Sequence, residues 1–205
     1  TVTPPANRYD FQDPDQIRYQ IDDLYEMYEP EMRDAYNAGD DMFFETAQIW
    51  GSDDYKAIQR GLLEADGDVT LPQAGRTVDE FLEIADEAFD RVDPLPFDTQ
   101  VSRLTREYDD IKELLESPVG TRIKSDQYIA TTVDPLEELE KAGFGGSVQM
   151  EIIIPKGSQV LPVDAATMSG VREAEILINR GSTLELLEAP RKEGSRWIVR
   201  LALVR

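Results

Sequence analysis

Apolar residues recur at helical spacing through the first half of the chain. The first such stretch follows Asp13-Pro14 and ends near Pro30, and an aspartate cap followed by proline is a typical helix start. Thr77 and Glu80 have the spacing of a capping box, which marks the start of another helix. The remaining stretches cover about Glu31–Thr46, a segment after Gly51-Ser52, and Thr77 to about Phe89. The pattern predicts four helices before Asp93.

After Asp93 the pattern changes to short apolar segments separated by proline and glycine. These segments are rich in Val, Ile, Thr and Tyr, which favour strands. They cover Thr99–Leu104, Gln127–Val133, Ser147–Ile154, Gln159–Val163, Glu173–Asn179, Thr183–Glu188 and Ser195–Val204. The last pair is expected to form a terminal hairpin, and short helices are expected at Asp109–Glu116 and Pro135–Lys141. Helices followed by strands predict an α+β fold.

The chain has 205 residues and no low-complexity linker. This length suits one substantial core, so we expect a single domain over 1–205, with a mainly helical part (1–93) and a mainly β part (94–205). The longest apolar runs fall far below the roughly 20 residues that cross a bilayer. We therefore expect a soluble protein without a membrane partner. Because the chain begins with Thr1 rather than Met, we expect it to be processed or excised from a longer protein.

Composition excludes several kinds of site. The chain contains no cysteine and no histidine, which excludes disulfides, thiolate or imidazole metal sites, and Ser-His-Asp catalysis. Any chemistry must use carboxylates, arginine, hydroxyls and the backbone, and we expect no metal. The net charge is −21, with 42 acidic and 21 basic residues. This charge disfavours nucleic acid and favours a basic protein surface, but a solubilising surface or an adaptation to high salt explains it at least as well.

A pair of glutamates, Glu173 and Glu175, precedes the apolar segment Ile176–Ile178. Residues two apart in a strand face the same side, so both carboxylates would project into one space. The same spacing occurs elsewhere in this acidic chain, where a solvated edge explains it. Here, however, the glycine-containing segment Ala165–Gly170 comes just before the pair, where a substrate loop would lie. The pair is therefore a candidate for acid–base or electrostatic catalysis.

Three segments occur in a recognisable order: an arginine at a strand end, a hydroxyl-rich strand and a Glu-x-Glu strand. They are Val101-Ser102-Arg103-Leu104, Tyr128-Ile129-Ala130-Thr131-Thr132 and Glu173-Ala174-Glu175. In this order they resemble the motifs of the arginine-serine-glutamate class of mono-ADP-ribosyltransferases, the clostridial-toxin-like group, in its Glu-x-Glu subgroup. Two further segments, Glu151–Gly157 and Trp50–Gln59, are also similar to family segments. The resemblance spans about Trp50 to Glu188.

The resemblance implies a fold and a set of site residues. N-terminal helices would pack on two roughly perpendicular β-sheets that enclose a cleft for NAD, the substrate. Arg103 would bind the pyrophosphate, since a guanidinium forks onto phosphate oxygens. Thr131 and Thr132 would support the nicotinamide ribose and orient the catalytic glutamate. Glu175 would stabilise the oxocarbenium-like ribose and hold its hydroxyl, and Glu173 would position and deprotonate an acceptor arginine.

The function implied by the resemblance is NAD-dependent mono-ADP-ribosylation of arginine side chains on a target protein, with release of nicotinamide. Such a protein would be secreted, delivered into a host cell as a bacterial toxin, or associated with a phage. Two positions depart from the family pattern: Ala130 replaces the first serine, and Arg103 lacks aromatic and glycine neighbours, with Arg106 as a competing choice. Two alternatives therefore stay open, an NAD glycohydrolase and a catalytically inactive binding or structural module.

Overall fold

The computed structural model describes residues 11–12, 14–133, 140, 145–167 and 174–204. Its helices are α1 (Pro14–Asn37), α2 (Met42–Trp50), α3 (Tyr55–Glu64), α4 (Val78–Arg91), α5 (Asp109–Leu115) and α6 (Val163–Thr167). Its strands are β1 (Thr99–Thr105), β2 (Arg122–Lys124), β3 (Ile129–Thr132), β4 (Val148–Ile154), β5 (Leu161–Pro162), β6 (Glu175–Ile178), β7 (Thr183–Leu186), β8 (Arg191–Glu193) and β9 (Arg196–Val204). The α+β class is confirmed. The helix predicted over 135–141 lies outside the described residues, apart from Glu140.

Helix α1 is longer than the sequence pattern predicts. We expected an end near Pro30, but the helix continues through this proline to Asn37. Proline inside a helix removes a hydrogen bond and clashes with the preceding turn. The helix nevertheless continues because a single buried face extends across the proline, with contributions from Leu24, Tyr28 and Met32. Core packing therefore outweighs the local cost, and α2 begins later than predicted.

The predicted start of α4 is confirmed in detail. The Thr77 hydroxyl accepts a hydrogen bond from the Glu80 amide at 3.2 Å, and the Glu80 carboxylate accepts one from the Thr77 amide at 2.8 Å. This capping box satisfies two backbone N–H groups that the first helical turn leaves without partners. The helix buries Phe81 and Phe89. The cap therefore sets where the helix begins, and the apolar face packs the helix against the core.

The strands of the described chain follow one hydrogen-bonded path, β2-β7-β9-β4-β1-β3-β6-β5, and β8 pairs with β9. Most pairs are antiparallel, while β4 and β9 are parallel. The expected terminal hairpin is confirmed, since β7 pairs antiparallel with β9. Between β1 and β3 the register contains one pair, Ser102 with Thr132. This narrow join separates a larger part of the path from the smaller part β3-β6-β5, but the described strands form one continuous sheet where two were expected.

Helices and strands share one apolar core. Tyr128, just before β3, lies near its centre and is 1% exposed. Its ring packs edge-on against Trp50 at 5.4 Å and is stacked on Phe89 at 5.9 Å. These contacts hold the end of α2 against the strands of the smaller sheet part. Both chain halves contribute to this core, as a single domain requires, and the domain limits stay a prediction.

Candidate active site

Glu175 is the first residue of β6 and lies beside the join between β1 and β3. Its register partner in β3 is Thr132, whose own partner in β1 is Ser102. Antiparallel partners project to the same side, with Cα atoms about 4.5–5.5 Å apart. The carboxylate of Glu175, which is half-buried, therefore shares a face with the Thr132 hydroxyl. The structure brings these two predicted site residues together.

A tryptophan from the helical half contacts the same carboxylate. The indole Nε1–H of Trp50 donates a hydrogen bond to Glu175 Oε1 at 2.9 Å. Trp50 ends α2 and is 3% exposed, so its ring has little freedom to move away. A buried N–H donor at this distance stabilises the charged carboxylate and fixes one of its oxygens in space. The orientation of Glu175 therefore depends on α2 as well as on the sheet.

Arg103 reaches across the join from β1. Its guanidinium NH1 donates a hydrogen bond to the Ala130 carbonyl oxygen in β3 at 2.9 Å. Ala130 stands two residues before Thr132, on the strand that pairs with Glu175. A guanidinium carries five N–H donors, so it can bind a carbonyl oxygen and phosphate oxygens together. The competing choice, Arg106, lies beyond the end of β1 and is exposed.

Thr131 and Thr132, the last two residues of β3, have different structural roles. Thr131 is 4% exposed, and its hydroxyl donates to the Ile176 carbonyl oxygen at 2.6 Å. This bond ties β3 to β6 within the sheet. Successive strand residues face opposite sides, so Thr132 points to the Glu175 side and Thr131 away from it. The structure thus places the side chains of Glu175, Thr132 and Ser102 on one face at the join. Arg103, the next residue of β1, leaves its strand on the other side and reaches β3 through the Ala130 carbonyl oxygen, and the Thr131 hydroxyl also lies behind the Glu175 face.

Glu173, the second predicted carboxylate, lies outside the described residues, and its role stays a prediction. Trp50 lies within a segment of the sequence that is similar to the family, but no sequence pattern predicts a role for it. The sequence feature that could have indicated a role is a tryptophan at the end of an apolar helix. A buried tryptophan usually forms a hydrogen bond through its indole N–H. Sequence alone does not identify that partner, because Glu175 is 125 residues away along the chain.

The register extends the site into a row of polar side chains on one face of the sheet, which we call the polar row. It contains Glu175, Thr132, Ser102, Glu151 and Arg200. At its far end the Arg200 Nε–H donates to Glu151 Oε2 at 2.8 Å, and the Gln149 side-chain amide donates to Glu151 Oε1 at 2.9 Å. This end is an ion pair inside the sheet. Among the described side chains, no three carboxylates come together in a group that could hold a metal ion.

Comparison with known proteins gives one family match. The model of the ADP-ribosyltransferase exoenzyme family matches residues 48–200. Comparison with curated proteins finds no relative. Across the part of the chain that the structure describes, no helix is long and apolar enough to cross a membrane.

Several solved structures share the fold at low sequence identity. An ADP-ribosyltransferase from Clostridium botulinum is 14% identical with a TM-score of 0.66, over 96% of this chain and 98% of that one. The ADP-ribosylating toxin of a binary enterotoxin of C. perfringens, solved with NADH, is 17% identical with a TM-score of 0.66, over 94% of this chain and 49% of that one. Exoenzyme S from Pseudomonas aeruginosa, solved with human 14-3-3 protein beta and carba-NAD, is 16% identical with a TM-score of 0.62, over 91% and 88%. With the family model matching most of its length, the chain belongs to the ADP-ribosyltransferase exoenzyme family.

Proposed function

We propose that this protein transfers ADP-ribose from NAD to an arginine side chain of another protein, with Glu175 as its catalytic carboxylate. The observation that carries the proposal is the pairing of Glu175 with Thr132 at the join between β1 and β3, where the Arg103 guanidinium also bonds to the β3 backbone. A carboxylate, a hydroxyl and a guanidinium are the groups that a nicotinamide ribose and a pyrophosphate require. Family membership supports the transfer of ADP-ribose from NAD.

In the proposed reaction the bond between nicotinamide and the ribose breaks, and nicotinamide leaves with the bonding electron pair. The ribose carbon becomes oxocarbenium-like, and the negative charge of Glu175 stabilises it. A guanidinium nitrogen of the acceptor arginine then forms the new bond and loses one proton. Glu173 would accept that proton and orient the acceptor. The products are nicotinamide, the ADP-ribosylated arginine and a proton.

The described residues fit NAD as the substrate. Arg103 would bind the pyrophosphate while its bond to the Ala130 carbonyl oxygen keeps the guanidinium at the join. The family serine is Ala130 here, so the backbone of this position serves Arg103 and its side chain contributes no hydroxyl. Thr132 would take over the hydroxyl role beside Glu175. Thr131 would support the site from behind by holding β3 to β6.

The partner in this proposal is a protein with an accessible arginine. The net charge of −21 favours an encounter with a basic surface. Several of the structural neighbours are bacterial toxins, and we propose that this protein likewise acts after secretion or delivery into a host cell. Nucleic acid is not proposed as a partner.

Labelled NAD and a basic acceptor protein provide the test. We expect label on arginine, identified by peptide mass spectrometry, and none when Glu175→Gln replaces the wild-type protein. Nicotinamide release without acceptor labelling would assign NAD hydrolysis instead, with water in place of arginine. If calorimetry detects no NAD binding, the chain is a binding or structural module of the same fold. Glu173→Gln separates the first two outcomes further, because it should abolish arginine labelling while nicotinamide release continues.

A further inference from the structure

The residue before the proposed catalytic carboxylate has an unusual backbone conformation. Ala174 has φ = 56°, in the left-handed region that side chains other than glycine rarely adopt. It is 1% exposed, so the surrounding structure encloses it. Strained backbone of this kind persists where neighbouring groups hold it, and it concentrates at functional sites. The groups that hold Ala174 therefore need to be identified.

Two hydrogen bonds use both backbone polar groups of Ala174. Its N–H donates to Asp164 Oδ2 at 2.6 Å, and its carbonyl oxygen accepts from the Val133 amide at 3.1 Å. Val133 directly follows β3, so the second bond extends the β3–β6 pairing by one residue. The first bond is of another kind, because its acceptor is a carboxylate side chain from α6.

Asp164 is in turn held by the first helix. The Tyr25 hydroxyl donates to the same oxygen, Asp164 Oδ2, at 2.5 Å. Tyr25 lies in α1 and is 4% exposed. A line of hydrogen bonds thus runs from α1 through Asp164 to the backbone N–H of Ala174, the residue before Glu175. We call Tyr25 and Asp164 together the clamp.

We infer that Tyr25 and Asp164 are positioning residues that set the direction in which the Glu175 side chain projects from the backbone. The inference rests on the proposed function, since it concerns the same carboxylate. A rotation at Ala174 would swing the start of β6, and with it Glu175 relative to Trp50. The clamp fixes the backbone before the carboxylate, and Trp50 fixes the carboxylate itself. One anchor on the backbone before Glu175 and a second on its carboxylate are what a reaction sensitive to sub-ångström placement requires.

Steady-state nicotinamide release separates positioning from binding. We expect Asp164→Ala to lower kcat by about 100-fold, with little change in the KM for NAD, because misplacement affects the reacting centre and leaves pyrophosphate binding intact. Asp164→Asn keeps an acceptor oxygen in reach of both donors and should restore most of the rate. Tyr25→Phe removes the hydroxyl bond to the Asp164 carboxylate but keeps the bond from Ala174, so it should have an intermediate effect. An unchanged kcat in folded Asp164→Ala would overturn the inference.

A second left-handed alanine provides a matched control. Ala65 has φ = 51°, but it is exposed at the end of α3. Valine at either position places a branched side chain in the same disfavoured region, so both variants should lose thermal stability. Only Ala174→Val should lower kcat, and glycine should be tolerated at both positions. If Ala174→Val and Ala65→Val have equal kcat at equal thermal stability, the inference that Tyr25 and Asp164 position Glu175 is contradicted.

An optical measurement tests the clamp without relying on activity. The chain has two tryptophans, so Trp197→Phe leaves Trp50 as the emitter, and its fluorescence reports the contact with Glu175. In this background Asp164→Ala should shift the Trp50 emission in the same direction as Glu175→Gln, and Asp164→Asn should not. Absence of any shift in Asp164→Ala overturns the inference even if the wild-type protein does not cleave NAD. Conversely, wild-type nicotinamide release no faster than that of Glu175→Gln would overturn the proposed function, while the emission shift would still support the clamp.

Discussion

Glu151 and Glu175 lie in the same polar row of the sheet, but their surroundings differ. Glu151 is in the middle of β4, with strands paired on both sides, and its side chain is 6% exposed. Both of its oxygens accept hydrogen bonds from neighbours in the sheet, Arg200 and Gln149. A carboxylate can be buried in this way when its charge is paired and its oxygens are bonded. We assign Glu151 a structural role.

Glu175 begins its strand beside the narrow join, where β1 and β3 separate. It is half-buried, and its indole donor comes from helix α2 rather than from the sheet. One residue type on one face is therefore structural where strands pair on both sides and suited to a ligand where a strand begins. We therefore propose that position along the strand, rather than the residue type, distinguishes the structural glutamate from the catalytic one.

The sharpest test of this comparison is to neutralise each glutamate in turn. Glu175→Gln keeps the shape of the side chain but removes its charge, so nicotinamide release should fall by about 1,000-fold, because the ribose cation loses its stabilising charge. Release at saturating NAD measures this effect, and thermal unfolding shows whether the fold is kept.

Glu151→Gln is the matched control. The free energy of unfolding should fall by about 2 kcal/mol, because Arg200 loses the charge of a buried partner. Urea unfolding measures this loss. Nicotinamide release should stay close to that of the wild-type protein. A comparable loss of activity in both variants would contradict the division of the polar row into a structural and a catalytic end.

The sequence predicted the class of the fold because local patterns were strong. Helical spacing and the Thr77–Glu80 capping box located α4, and the Val- and Ile-rich segments located the long strands. Strands β2 and β8 were missed, because each has three residues and only one or none of them is apolar. They form because β7 and β9 offer them backbone partners. Such short edge strands depend on tertiary context, which a local pattern does not carry.

The site was predictable to a smaller extent. Family-like motifs pointed to Arg103 and Glu175, and the structure brings both to the join. The anchors of Glu175 could not be predicted, because they are contacts between distant segments: an indole from α2 and a hydroxyl from α1 acting through Asp164. Nothing local suggested a left-handed Ala174 either, since alanine favours helices. These features arise from packing of the helical half against the smaller sheet part.

Arg103→Lys should have the next largest effect. A lysine ammonium is a point charge, so it cannot bind the Ala130 carbonyl oxygen and two pyrophosphate oxygens at the same time. The KM for NAD should therefore rise by about 30-fold. Isothermal calorimetry with NAD checks that binding is what weakens. Arg106→Lys is the paired control, because Arg106 is exposed beyond β1, and its KM should not change. If Arg106→Lys weakens NAD binding more than Arg103→Lys does, the phosphate site has been assigned to the wrong arginine.

The two threonines offer a smaller contrast on a single strand. Thr132→Val removes the hydroxyl on the Glu175 side and should lower kcat by about tenfold, the value of one hydrogen bond that orients the carboxylate or the ribose. Thr131→Val removes the bond to the Ile176 carbonyl oxygen, so it should lower the free energy of unfolding by about 1 kcal/mol and affect kcat less. Valine matches threonine in shape, which keeps packing constant. The reverse order of effects would place the functional hydroxyl on the other face of β3.

The smallest expected effect is that of Trp50→Phe. Phenylalanine keeps the ring packing against Tyr128 but has no N–H for Glu175 Oε1. We expect kcat to fall by about fivefold, less than the full value of a bond to a charged group, because Glu175 is half-buried and water can replace the lost donor. Trp197→Phe controls for loss of an indole elsewhere and should leave kcat unchanged. If Trp50→Phe lowers stability but not kcat, α2 only supports the core, and the difference between Glu175 and Glu151 resides in the sheet alone.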